Sequence, residues 1–213
     1  MDCAPTRIVA IRHGETAWNA DGRLQGQLDI PLNPRGQAQA ARLADALRHE
    51  GLDTVVSSDL GRARQTAEAL AGPLGLPLQL HGGLRERCFG IFEGLTRDEL
   101  ALRWPEAHAR WQRREPDYVP PGGESLVAFS ARCVGAAAAL AQAHAGGSLA
   151  LVCHGGVLDC LYRAATGLAL DAPRSWQLGN AGINRLLYTG RGFTLVGWND
   201  QSHLDALTRD ELG

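Results

Sequence analysis

The chain has 213 residues, 45% of them hydrophobic and 21% charged, with a net charge of −2 and a pI near 6.4. That length suits one large domain or two small ones, and the apolar share is enough for a sizeable core. The near-neutral balance excludes a basic nucleic-acid surface, so an anionic ligand must be held by a local cluster of arginines.

The stretch Ile8-Val-Ala-Ile-Arg-His-Gly14 begins as an unbroken apolar run and ends in a cation, an imidazole and a glycine. Such a run reads as a buried parallel strand. Ligands of open α/β sheets bind beyond the carboxyl ends of these strands, so Arg12 and His13 stand where an anion would be met. Gly14 is expected to let the backbone turn away and leave room above the imidazole. Residues 18–33 are rich in Gly, Asp and Pro and read as a functional loop. Asn33-Pro34 opens a helix whose stripe is Ala40, Leu43, Ala44 and Leu47, and which Gly51 stops.

Residues 53–58 read as a short strand and 60–71 as a helix capped by Asp59 and ended by Gly72-Pro73. Arg62 then lies in the first turn, at the positive end of the helix dipole, while Arg64 points elsewhere. A weak strand at 76–80 precedes a glycine-rich loop carrying Glu86 and Glu93. Helices follow at 96–102 and 105–113, with Trp104 and Trp111 as packing residues. A turn-rich connector, 118–124, leads to the longest helix, 124–145, closed by Gly146-Gly147. Ser148-Leu-Ala-Leu-Val-Cys-His154 is a second all-apolar strand ending in histidine and glycine. A helix at 157–166 and two strands, 183–188 and 193–198, joined by a hairpin-like turn, complete the elements. The polar tail from Asp200 is expected to lie over the site or fray. The alternation predicts a single α/β domain spanning 1–213, a three-layer sandwich of a mostly parallel sheet with helices on both faces.

No apolar run reads as long enough to span a membrane, and Asp2, Pro5 and Arg7 interrupt any apolar leader. Five cysteines, Cys3, Cys88, Cys133, Cys153 and Cys160, show no CxxC spacing. They read as reduced thiols, which points to the cytoplasm.

Topology thus converges Arg12, His13, Arg62, Glu86 and His154. Ile11-Arg-His-Gly-Glu-Thr16, Ser57-Ser-Asp-Leu-Gly-Arg-Ala-Arg-Gln-Thr66, Leu84-Arg-Glu-Arg-Cys-Phe-Gly90 and Cys153-His-Gly-Gly156 together resemble the histidine phosphatase superfamily, over nearly the whole chain and in the right order. That family includes phosphoglycerate mutases and small phosphatases. The resemblance implies that His13 becomes a phosphohistidine, with Arg12, Arg62 and His154 stabilising the phosphoryl oxygens. It implies that Glu86 is the proton donor and then the base for water, a role that needs its pKa raised. Glu93 matches no catalytic position. Asn19 is expected to donate to the same phosphate; Thr16, Gln25, Gly26 and Gly155 are expected to shape the substrate pocket.

Metal ligation by His13, His154 and Glu86 is disfavoured, because no HExxH or carboxylate cluster is present and two arginines would repel a divalent cation. No cofactor is expected, save 2,3-bisphosphoglycerate if the chain were a mutase. Gly155-Gly156, where mutases usually carry Gly-Asn, and the short connector 113–125 resemble the phosphatase branch. A shorter lid leaves a phosphoenzyme more open to water. Against this, Arg113-Arg114 resembles a basic pair that mutases use, although a solvated helix end is the favoured reading of it. The expected partner is a small phosphorylated metabolite, with neither nucleic acid nor membrane; the resemblance leaves a homodimer open. A non-catalytic phosphate-binding role is disfavoured, since every position expected for catalysis is filled.

Overall fold

The computed structural model describes residues 4–205. Strands β1 (Thr6–Arg12), β2 (Thr54–Ser57), β3 (Leu78–Leu80), β4 (Ser148–Cys153), β5 (Ile183–Thr189) and β6 (Gly192–Asp200) form one sheet in the order β3-β2-β4-β1-β5-β6. The first four are mutually parallel; β5 and β6 add an antiparallel edge. The alternation of side chains along each strand builds two cores. Ile8, Ala10, Leu149, Leu151 and Cys153 face α6 (Leu126–Ala143) and α7 (Gly155–Thr166). Val9, Ile11, Val55, Ala150 and Val152 face α2 (Pro34–Leu47) and α3 (Gly61–Leu74). This is the expected three-layer α/β sandwich.

A third, smaller cluster of Phe92, Leu100 and Tyr118 packs Trp104, the residue between α4 (Arg97–Arg103) and α5 (Pro105–Gln112), and Trp111 of α5. Both tryptophans therefore pack as the sequence implied.

Several local expectations change. The long loop contains a short helix, α1 (Ala17–Ala20), opened by a capping box in which Thr16 and Asn19 satisfy each other's backbone. Asp59 does not cap α3. Its carboxylate pairs with Arg85 at 2.6 and 2.7 Å, and the N-cap is Leu60. Arg62 still falls in the first turn. That helix runs through Pro73 to Leu74 and ends at Gly75, whose φ of 64° suits glycine. A proline in the last turn removes few intrahelical bonds, so it does not stop the helix where expected.

The longest helix begins at Leu126, because Ser125 caps it by accepting from Ala128 N; Glu124 is instead held by Arg132 and Cys88 N. By length and composition that 18-residue helix is apolar enough to cross a membrane, contrary to the sequence reading. Here Leu126, Phe129, Cys133, Ala137 and Ala141 form a stripe buried on the sheet.

Gly14 needs no left-handed backbone. An added Cβ would strike the backbone of Gly36, so its role is close approach to α2. The tail as far as Asp205 does not cover the site. Leu204 packs on the α2 side, and Gln201 Nε2 donates to Asn180 O. The four cysteines at 88, 133, 153 and 160 are free; Cys3 and the tail beyond residue 205 lie outside the described residues.

Candidate active site

The parallel register that pairs Arg12 with Cys153 sets His13 and His154 side by side, one residue past each strand. Their ring centroids are 5.2 Å apart. His13 Nδ1 lies 2.7 Å from Gly14 O. A carbonyl only accepts, so Nδ1 carries the hydrogen and Nε2 keeps a free lone pair. Burial, then Arg62 and Arg12, push the His13 pKa well below 6.5, so the ring is neutral at pH 7.

His154 is fully buried behind His13. Its Nε2 lies 2.9 Å from Ser58 Oγ, which also receives Leu60 N–H. His154 Nδ1 is buried without a partner; with the Ser58 hydroxyl donating to Nε2, the ring hydrogen sits on Nδ1. Burial, Arg62, His13 and Arg12 depress this ring too.

Arg62 is buried, and its Nη1 and Nη2 donate to Leu28 O and Gly26 O at 2.9 and 2.7 Å. Arg12 Nη1 donates to Leu178 O. The Nε atoms of both arginines are buried and unpartnered. An arginine keeps its charge even with a lowered pKa, so each remains a cation beside His13.

Glu86 reaches the same place from the loop before α4. Its Oε1 accepts Arg87 N–H and its Oε2 accepts Gly156 N–H, both at 2.9 Å. Gly156 is required there: an added Cβ would collide with Oε1.

Of these groups, all but the fully buried His154 border a cavity of ≈ 320 Å³. Arg12, His13, Arg62 and Glu86 line it, as do Asn19, Gln25, Gly26 and Gly155. Thr16 does not. It is fully buried, and its hydroxyl donates to Asn19 Oδ1 and accepts Asn19 N–H, so it sets Asn19 rather than the cavity wall. Asn19 Oδ1 is also met by Asn180 Nδ2 at 3.3 Å. Glu93 holds structure: its Oε1 accepts Gln27 N and Phe89 N at 3.1 and 2.9 Å, tying the Gln25–Leu28 turn to the Glu86 loop. Among the described residues, no group of three or more His, Cys, Asp or Glu is arranged to hold a metal ion.

Sequence reading missed several supports. Ser58 positions His154. Thr66 Oγ1 accepts Gly14 N at 3.0 Å and donates to Arg62 O at 2.8 Å. Asn180 Nδ2 donates to His13 O at 3.0 Å. Arg174, Trp176, Gln177 and Leu178 also line the cavity, from a segment without periodicity. Ser58 alone had a signal: it ends a buried strand, as both histidines do.

Two imidazoles and two guanidinium groups at adjacent carboxyl ends of a parallel sheet define an anion-binding α/β enzyme core. Residues 8–201 match the histidine phosphatase superfamily, branch 1, and the chain belongs to that family. Its members are phosphatases or mutases that act through a phosphohistidine.

A probable phosphoglycerate mutase of Escherichia fergusonii is 37% identical, over 97% of this chain and 98% of its own. The structure of Bacillus stearothermophilus YhfR superposes with a TM-score of 0.87 at 31% identity, covering 94% of this chain and 100% of its own. A mycobacterial glucosyl-3-phosphoglycerate phosphatase solved with VO3 gives a TM-score of 0.80 at 34% identity, covering 92% and 99%.

Proposed function

We propose that the protein is a metal-independent phosphomonoesterase that hydrolyses a small phosphorylated metabolite through phosphohistidine at His13. One observation carries the reading. Arg12 Nε and Arg62 Nε are buried, unpartnered donors, and His154 Nδ1 is a third buried, unpartnered nitrogen, a donor in its Nδ1–H tautomer, all on residues that adjoin His13. Buried donors are normally satisfied, and a tetrahedral oxyanion would satisfy all three.

His13 Nε2 attacks phosphorus, the ester P–O bond breaks, and Glu86 delivers a proton to the departing alcohol oxygen. Water then attacks the phosphohistidine and yields its proton to Glu86. The P–N bond breaks and inorganic phosphate leaves. Arg12, Arg62 and His154 stabilise the equatorial oxygens in both steps, and the Asn19 amide adds a neutral donor. Gln25, Gly26 and Gly155 shape the cavity around the phosphate, with Thr16 behind Asn19.

The name carried by the 37% identical relatives favours a second reading, a mutase that would use 2,3-bisphosphoglycerate. The arginine pair argues against it. Arg113 is exposed and paired with Glu115 at 2.7 Å, and Arg114 is paired with Asp159 at 2.6 Å, so both charges are already engaged.

Acid-quenched trapping of labelled phosphate on His13, with release of inorganic phosphate, is the expected result. Full turnover by His13→Ala, or loss of activity to a chelator, would overturn the mechanism. Isomerisation of phosphoglycerate on adding bisphosphoglycerate, outpacing hydrolysis, would favour the mutase.

A further inference from the structure

A second cavity of ≈ 330 Å³ adjoins the first and shares Glu86, Phe89, Gly156 and Arg174 with it. Glu86, the proposed acid, therefore stands at the junction. With phosphate in the first cavity, the alcohol part of the ester occupies the second. Phe89, Trp111, Leu126 and Phe129 give that space apolar walls suited to a ring-sized body.

One charged group in the wall is anomalous. Asp159, on α7, is 4% exposed. Its Oδ2 takes both Arg114 Nη2 at 2.6 Å and Arg163 Nε at 3.1 Å. Its Oδ1 is buried with no partner. A carboxylate oxygen in that position lacks the donor that burial normally demands. The surrounding cations do not supply one. Arg114 is further committed to Leu170 O at 2.8 Å, and Arg87 donates to Glu124 O and Tyr118 O. Arg97 and Arg174 are exposed at the rim, where water and salt screen them.

Resting on the phosphomonoesterase reading, we propose that Asp159 is the residue by which this enzyme selects its alcohol. The second cavity takes an alcohol part that presents a hydroxyl or ammonium donor to the Asp159 carboxylate, in preference to a carboxylate or bare hydrocarbon. A donor completes the unpartnered oxygen. A hydrocarbon leaves it unsatisfied, and so does a carboxylate, which accepts hydrogen bonds and has no hydrogen to donate. Asp159 also ties the two cavities together. Arg163, which it holds, donates to Ala169 O and Ala172 O and lies 4.9 Å over the ring of Trp176 in the wall of the first cavity.

The test uses the full chain and four ring-sized esters: glucose 6-phosphate, and cyclohexylmethyl phosphate either unsubstituted or bearing a 4-amino or 4-carboxy group. We expect kcat/KM for the hydroxyl or the amino ester to exceed that for the hydrocarbon and carboxy esters about tenfold or more. The amino and hydroxyl arms separate the two sources of the donor. Asp159→Asn should abolish the preference for amino over carboxy, a ratio that does not depend on how much enzyme is folded. Should that variant not fold, the wild-type ranking decides alone. Equal kcat/KM for all four esters, with p-nitrophenyl phosphate still hydrolysed, overturns the selection by Asp159 and leaves the phosphomonoesterase intact. No turnover of any ester overturns both.

Discussion

Gly156→Ala tests the placement of the proposed acid. Gly156 is the second residue of α7, and its N–H holds Glu86 Oε2. An added Cβ would lie about 1.3 Å inside ordinary contact with Glu86 Oε1 and 3.1 Å from the Phe129 ring. Phe129 is packed in the core, so the carboxylate must retreat. A displacement of about 1 Å at a reacting group can cost ~100-fold, or about 2.7 kcal/mol of barrier. Alanine is the better helix former by up to about 1 kcal/mol and Gly156 is not in the left-handed region, but the tight contact with core-packed Phe129 works against that gain, so urea denaturation of the variant accompanies the assay.

The assay compares kcat/KM for an alkyl phosphate with that for p-nitrophenyl phosphate. This ratio reports formation of the phosphoenzyme, before water acts. The alkyl ester needs a proton on its departing oxygen and should lose ~100-fold. The nitrophenolate departs as a stable anion and should lose far less. Alkyl-ester turnover within about twofold of the parent would refute the reasoning, as would equal losses on both esters, which point to the phosphate site.

Three further outcomes are expected. Because burial, Arg62 and Arg12 hold His13 well below pH 6.5, kcat/KM should persist as pH falls through 6.5; a decline centred at or above that value contradicts the geometry. The same depression governs stability. Unfolded imidazoles take up protons near pH 6.5 that buried His13 and His154 refuse, so stability is full above that pH and lost below it. The slope approaches about 2.7 kcal/mol per pH unit for the pair, and glutamine at either position should halve it in urea titrations. Glu93→Ala removes a carboxylate that accepts two backbone N–H groups, and should cost about 2 kcal/mol in urea denaturation. It should also lower kcat/KM alike for alkyl and nitrophenyl esters, because the turn it anchors supplies the Gly26 and Leu28 carbonyls to Arg62; a selective loss on alkyl esters would instead make Glu93 the acid.

The parts of the site fixed by strands were legible in the sequence. Val9-Ala-Ile11 and Leu149-Ala-Leu-Val152 are buried on both faces, so continuous apolar runs marked them, and the residue after each was placed with them. Arg62 was placed despite a wrong cap, since one residue's error at a helix start leaves it in the first turn. The caps themselves were not legible. Asp59 and Ser125 are equally good N-cap residue types, and only tertiary partners, Arg85 for one and none for the other, decide between them. Residues that act through distant partners left still less trace. Asn180 and Asp159 matter because of what the fold brings to them, Asn19 with His13 O for one and Arg114 from 45 positions away for the other. Neither local periodicity nor a short motif records such pairings.

The ladder between β1 and β4 has an engineering consequence. Spacing between the two imidazoles depends on main-chain pairing across the middle of the sheet, whereas the walls around the alcohol come from the Glu86 loop, α5, the connector, the first turns of α6 and α7, and the segment after α7. The nucleophile is therefore set by the sheet, and much of the recognition surface by elements outside it. Exchange of the peripheral segments among homologues could retune which ester is admitted while the nucleophile stays in register.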